Sequence, residues 1–129
     1  MSVVSYRDLM VWRRAMELAE EVYRLSRLLP KAEEYRLTSQ VLRSAVSVPA
    51  NIAEGHARSG PREFLNFLSI AGGSLAETET LLMLAVRAKL LPLAEISRAM
   101  GLAEEVGRML PALKKSLRAK TPIKPPSRP

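Results

Sequence analysis

Four stretches of this chain repeat their apolar residues at alternating spacings of four and three, and a proline or glycine closes each one. That period belongs to amphipathic helices. No stretch of useful length alternates at the strand period, so the apolar stripes can be buried only by packing helix on helix. In residues 6–28 the stripe runs Val11, Ala15, Leu18, Val22, Leu25 and on to Leu29, where Leu29-Pro30 ends it. A second stripe, Leu9, Trp12, Met16, Ala19 and Tyr23, lies beside it, and Arg13, Arg14, Glu17, Glu20, Glu21, Arg24 and Arg27 take the other face. Ser5 and Asp8 have the spacing of a capping box at the helix start.

Residues 34–56 carry Leu37, Val41, Ala45, Val48 and Ile52 on one stripe and Leu42, Val46, Pro49 and Ala53 on the next. Pro49 is expected to bend this helix, and Gly55 to help end it. The third helix opens at Ser59-Gly60-Pro61 and runs to about residue 90, with Phe64, Phe67, Leu68, Ala71, Leu75, Leu82 and Ala85 on its core face. Gly72-Gly73-Ser74 sits in its middle, where small residues would let a neighbouring helix approach closely; a kink is the other reading. The fourth helix starts at Pro92 as a first-turn proline and carries Ile96, Met100, Ala103, Val106, Leu110, Leu113 and Leu117, with a kink expected at Pro111. The fold expected is all-α, an antiparallel up-down-up-down four-helix bundle over residues 1–119. A proline-rich basic tail over 120–129, expected to be disordered, follows it.

The chemistry that composition permits is narrow. The chain has no cysteine, one histidine, His56, and one aspartate, Asp8. That leaves no disulfide framework, no thiolate metal site and no multi-histidine centre. The paired Glu-x-x-His motifs of di-iron bundles are absent, as is a phosphate loop with its lysine. No cofactor, metal or catalytic residue is therefore assigned, and an enzyme is not expected. The longest uncharged run, residues 64–76, is too short for a bilayer, which needs about 20 apolar residues. The opening residues lack the pattern of a signal peptide, so a cytoplasmic protein is expected.

Charge is unevenly spread. Of the formal net charge of +7, six units lie in residues 114–129, as Lys114, Lys115, Arg118, Lys120, Lys124 and Arg128 with no acid among them. The preceding 113 residues hold 14 basic and 13 acidic side chains. A basic terminal segment can attract RNA, DNA or an acidic surface, or serve only solubility. Arg13, Arg14, Arg43, Arg58 and Arg62 could add phosphate contacts, or pair within the bundle with the Glu residues near them. On the second helix Gln40, Ser44, Ser47, Asn51 and Glu54 stack in one polar line. Its small uncharged residues suit a hydrogen-bonded helix or subunit contact better than a solvated face.

Two long stretches carry a resemblance: Leu37-Thr-Ser-Gln-Val-Leu-Arg-Ser-Ala-Val-Ser-Val-Pro-Ala-Asn-Ile-Ala-Glu-Gly-His-Ala-Arg58 and Glu63-Phe-Leu-Asn-Phe-Leu-Ser-Ile-Ala-Gly-Gly-Ser-Leu-Ala-Glu-Thr-Glu-Thr80. With the opening Tyr6-Arg-Asp-Leu-Met-Val-Trp-Arg-Arg-Ala15, they resemble the four helix bundle protein family, also called 23S rRNA-intervening sequence proteins. The resemblance spans about residues 5–117. It implies a left-handed antiparallel bundle that assembles as a ring, a homopentamer, without enzymatic activity. Some members are encoded within insertions in bacterial rRNA genes. Related proteins serve diversity-generating retroelements, where a basic ring binds nucleic acid and a reverse transcriptase. Two functions follow as expectations. One is a non-enzymatic oligomeric bundle that binds RNA or DNA through its tail and rim arginines. The alternative is a protein-interaction scaffold or adaptor that binds no nucleic acid.

Overall fold

The computed structural model describes residues 5–120, an all-α antiparallel four-helix bundle. Its helices are α1 (Met10–Ser26), α2 (Ser39–Ala57), α3 (Pro61–Arg87) and α4 (Ser97–Lys120). α1 packs against α2 and α4, and α3 packs against the same two, with the most extensive contact between α2 and α3. The expected first stripes are the core. Ala15, Leu18 and Val22 of α1, Ala45, Val48 and Ile52 of α2, Leu68 and Ala71 of α3, and Ala103 and Val106 of α4 are all fully buried. The second stripe is only partly covered: Met16, Tyr23 and Val46 remain exposed.

The helix ends depart from expectation in informative ways. The Ser5–Asp8 capping box forms, but it caps a single 3-10 turn, Tyr6–Asp8. Leu9 is extended and packs against the core, and α1 begins one residue later. Arg13 Nε donates to the Arg7 carbonyl at 2.9 Å and ties that turn to the helix. Ahead of α2 the chain reverses through a 3-10 turn, Lys31–Glu33, and a π turn, Glu34–Thr38. Such turns keep backbone groups paired while the direction changes. The helical backbone angles break there, at Arg36 (φ −117°, ψ −106°), while the helical hydrogen-bond pattern of α2 continues past Pro49 and that of α4 past Pro111. Pro92 precedes a 3-10 turn, Leu93–Ile96, so it lies outside α4 instead of in its first turn.

α3 ends in a Schellman motif. Leu90 N–H donates to the Ala85 carbonyl at 2.8 Å and Lys89 N–H to the Val86 carbonyl at 3.0 Å. The residue at the left-handed position is Lys89, φ 62°, where glycine is the usual choice. At the other end of the chain Lys120 is the last residue of α4, so the helix reaches one residue past the expected limit. The remainder of the expected tail, residues 121–129, lies outside the described residues. Among the described residues, no helix is long and apolar enough to cross a membrane.

Candidate nucleic-acid interface

The polar line of α2 divides on folding. Ser44 and Ser47 meet α3 and Asn51 is half-buried beside Ser47, whereas Gln40 and Glu54 are exposed. Buried Ser44 Oγ lies 2.8 Å from buried Thr78 Oγ1. Ser44 is also within reach of the Val41 carbonyl (3.1 Å), and Thr78 of the Ser74 carbonyl (2.9 Å). Two hydroxyl hydrogens thus serve three contacts, so the chain of donors runs in one direction or the other. One turn on, Asn51 Nδ2 donates to Ser47 Oγ at 2.8 Å, which leaves the Ser47 hydroxyl hydrogen free for Ser74 Oγ at 2.8 Å. These residues form an intrachain seam between α2 and α3. Glu54 instead pairs with Arg58 at 2.9 Å.

The glycines exchange roles. Gly72 and Gly73 meet no neighbour: a Cβ built on either finds nothing within 4 Å. The close approach is at Gly55, where a Cβ would lie 2.6 Å from Phe67 Cβ and 3.0 Å from Phe64 Cδ1. Gly55 is therefore a packing residue of α2, two residues inside its end.

The basic residues fall into three groups. Arg14 is committed within the bundle, at 2.7 Å from Glu17 and 2.9 Å from Glu105 of α4. The Glu17 hydrogen bond, with Glu105 adding to it, raises its pKa above the ordinary arginine value. Arg43 stands near the start of α2, about 22 Å along the helix axis from Arg58 by the 1.5 Å rise per residue. The third group shares the end of the bundle where α1 and α3 begin and α2 and α4 finish. It comprises Arg13, Arg58, Arg62, Lys114, Lys115, Arg118 and Lys120. Of these, Arg62, Lys114, Lys115, Arg118 and Lys120 make no ion pair or side-chain hydrogen bond with any described residue. Arg58 lies over the Phe67 ring at 5.0 Å as well as pairing with Glu54.

This basic end holds a feature that spacing did not reveal, an open cavity of about 490 Å³. Leu9, Phe64, Leu113 and Leu117 give it an apolar wall, and His56, Arg58, Ser59, Ser116 and Lys120 give it polar groups. No carboxylate lines it. His56 meets Phe64 edge-on, with ring centroids 5.6 Å apart. His56 is legible in the sequence only as a lone histidine near a helix end; its cavity depends on α1 and α4 converging there. Among the described residues no group of His, Asp and Glu could hold a metal ion.

A second surface is defined by what it lacks. Along the outer face of α3, Ile70, Gly73, Ala76, Thr80, Met83 and Leu84 are exposed. Glu77 is the one exposed charged residue between Glu63 and Arg87. Ser69 and Thr80 spend their hydroxyl hydrogens on the carbonyls of Leu65 and Ala76 of their own helix. The face is apolar in effect, unlike the charged outer face of α1.

Comparison with known proteins agrees with this architecture. A solved structure from Bacteroides thetaiotaomicron VPI-5482, described as a protein of unknown function from the S23 ribosomal protein family, superposes with a TM-score of 0.76 at 27% identity. The match covers 82% of this chain and 99% of that one. No curated protein matches. The family model of the 23S rRNA-intervening sequence protein matches residues 7–112, from the turn before α1 to just beyond Pro111. With that match over four packed helices, the chain belongs to the 23S rRNA-intervening sequence protein family.

Proposed function

We propose that this protein is a non-enzymatic, self-associating bundle of the cytoplasm that binds RNA or DNA through phosphate contacts at its basic end. The observation that carries the reading is the gathering of Arg62, Lys114, Lys115, Arg118 and Lys120 at one end, unpaired among the described residues, while the body's other charges nearly balance. Free cations at one pole favour a polyanion, because each phosphate neutralised releases a counterion. No base-reading element is invoked, so the binding is sequence-tolerant.

Self-association rests on the α3 face. Its glycines cost about 1 kcal/mol each against alanine in a helix, and a Cβ built on either meets no described residue within 4 Å. A second copy laid on Ile70, Gly73, Met83 and Leu84 would supply the missing contact. A ring, pentameric as the family resemblance implies, multiplies a weak basic end by the number of subunits. A protein partner on the same face is the second reading, since that surface alone does not select its occupant.

The test is binding of single-stranded RNA and DNA across a salt series. Full-length protein is compared with a form ending at Lys120 and with a variant in which Lys114, Lys115, Arg118 and Lys120 are all Gln. Cutting at residue 113 would instead remove Leu117, which packs against the core. The expected result is steep salt dependence for the full chain. The quadruple variant should show a shallower slope of log K against log salt, by about 0.7 for each phosphate that is no longer neutralised on a single strand. Binding with no salt dependence, or none at low salt, refutes the reading and favours the scaffold.

A further inference from the structure

We infer that the cavity at the basic end is a subsite for a single nucleotide, with its phosphate held by Arg58 and Lys120 and its base against Phe64 and His56. The inference rests on the reading of this end as a phosphate-binding pole and names what one part of it takes. The volume, about 490 Å³, falls within the roughly 300–1,000 Å³ of small-ligand sites. Its walls divide by chemistry. Two permanent cations and two serine hydroxyls stand beside a wall of Leu9, Phe64, Leu113 and Leu117. An inorganic anion would use only the first set, and an apolar ligand only the second. A nucleotide uses both, since its base is a flat face that tolerates apolar and aromatic contact and its phosphate demands charge.

The surroundings favour an anion. No described carboxylate lines the cavity; Glu54 pairs with Arg58 from outside the lining, and the guanidinium lies over the Phe67 ring. Lys120 has no described partner. His56 is edge-on to Phe64, so the two rings form a corner against which a base can lie.

His56 is the chain's one histidine and gives the experiment its reporter. Full-length protein is titrated with adenosine monophosphate, with inorganic phosphate, and with a short single-stranded oligonucleotide with or without a terminal phosphate. The His56 ring resonances are followed by NMR, and strand binding is read separately by anisotropy. Adenosine monophosphate is expected to move the His56 signals saturably, with inorganic phosphate binding about tenfold more weakly or worse. Arg58→Gln and Lys120→Gln should each weaken nucleotide binding about tenfold, as expected when one charge-assisted hydrogen bond is removed. Ser116→Trp should block the mouth while keeping every cation.

If only the terminally phosphorylated oligonucleotide moves His56, the subsite takes a strand end in place of a free nucleotide, and the nucleotide chemistry stands. If adenosine monophosphate binds and no strand does, the subsite stands and the nucleic-acid reading falls. If strands bind while His56 stays unmoved by every probe, the subsite is refuted and the basic-end reading survives. Equal affinity for inorganic phosphate and nucleotide also refutes it, because the apolar wall would then contribute nothing.

Discussion

Replacing Gly55 by alanine tests the packing of α2 on α3 at its tightest point. An alanine Cβ at this position would lie 2.6 Å from Phe67 Cβ, 3.0 Å from Phe64 Cδ1 and 3.4 Å from the Phe64 carbonyl oxygen. Ordinary contact begins near 3.4 Å. The two helices must therefore separate by about 0.8 Å there, an overpacking of the kind that costs roughly 1–3 kcal/mol. Phe67 Cβ cannot swing away as the end of a flexible chain could, so α3 itself has to move. Alanine's better helix propensity returns about 1 kcal/mol at most, and less near a helix end. The net expectation is a destabilisation of about 1–2 kcal/mol, read as a fall in Tm of about 4–8 °C. Gly101→Ala in α4 is the matched control: its Cβ meets nothing within 4 Å, so the same substitution should raise Tm by up to about 4 °C. Thermal unfolding followed by circular dichroism at 222 nm measures both. If Gly55→Ala is as stable as the parent while Gly101→Ala gains, α2 and α3 do not approach closely at Gly55.

Two further substitutions have signs set by single observations. Lys89→Gly should stabilise by about 1 kcal/mol, since it keeps the Schellman hydrogen bonds of Leu90 and Lys89 and removes the left-handed penalty at φ 62°; an unchanged denaturant midpoint would count against this. Glu79 has a raised pKa, first from burial and then from the Glu104 carboxylate across on α4. Between its unfolded and folded pKa the folded chain binds more protons, so stability falls as pH rises through that window, and the penalty is constant above it. Glu79→Gln should therefore raise the denaturant midpoint at pH 7, with the gain disappearing below the ordinary glutamate range. A gain that grows on acidification would contradict the sign.

Much of the fold is written in the apolar period, and the departures have physical causes. The first stripes are buried from Val11 to Leu25 and from Leu37 to Ile52. Periodicity says which residues share a face and says nothing about how wide an arc the neighbours cover, so Met16, Tyr23 and Val46 stay exposed. The polar line shows the same limit. Its middle forms the seam, while its ends, Gln40 in the first turn of α2 and Glu54 in the last, stay exposed because there the neighbouring helix no longer covers the line. Local capping chemistry is legible at Ser5, but which turn it caps is decided by Leu9 packing against the core. Gly55 and the Gly72-Gly73 pair cannot be told apart by sequence, because the distinction lies in the distance to another helix. Arg14 reads as a candidate phosphate ligand until Glu105 arrives from a helix about ninety residues on.

The proposed assembly and the proposed binding constrain each other through symmetry. The α3 face runs along the side of the bundle, whereas the free cations sit at its end, so one copy packed on that face leaves the basic end open. In a closed cyclic ring every subunit is related to the next by rotation about one axis. If the bundles stand along that axis, all basic ends point to the same side and form one continuous rim. A dihedral arrangement would place half of them on the opposite side and halve the local cation density. Avidity through weak ends therefore requires cyclic symmetry, and it requires the α3 contact to form with neighbours parallel. A substitution such as Leu84→Glu, exposed on α3 and remote from every cation of the basic end, separates the two functions. It should break the assembly seen by sedimentation and weaken strand binding at the same time, while leaving the single-nucleotide affinity of each subunit unchanged. Failure to assemble with undiminished strand affinity would mean that one bundle end is sufficient, and the ring would then need another purpose.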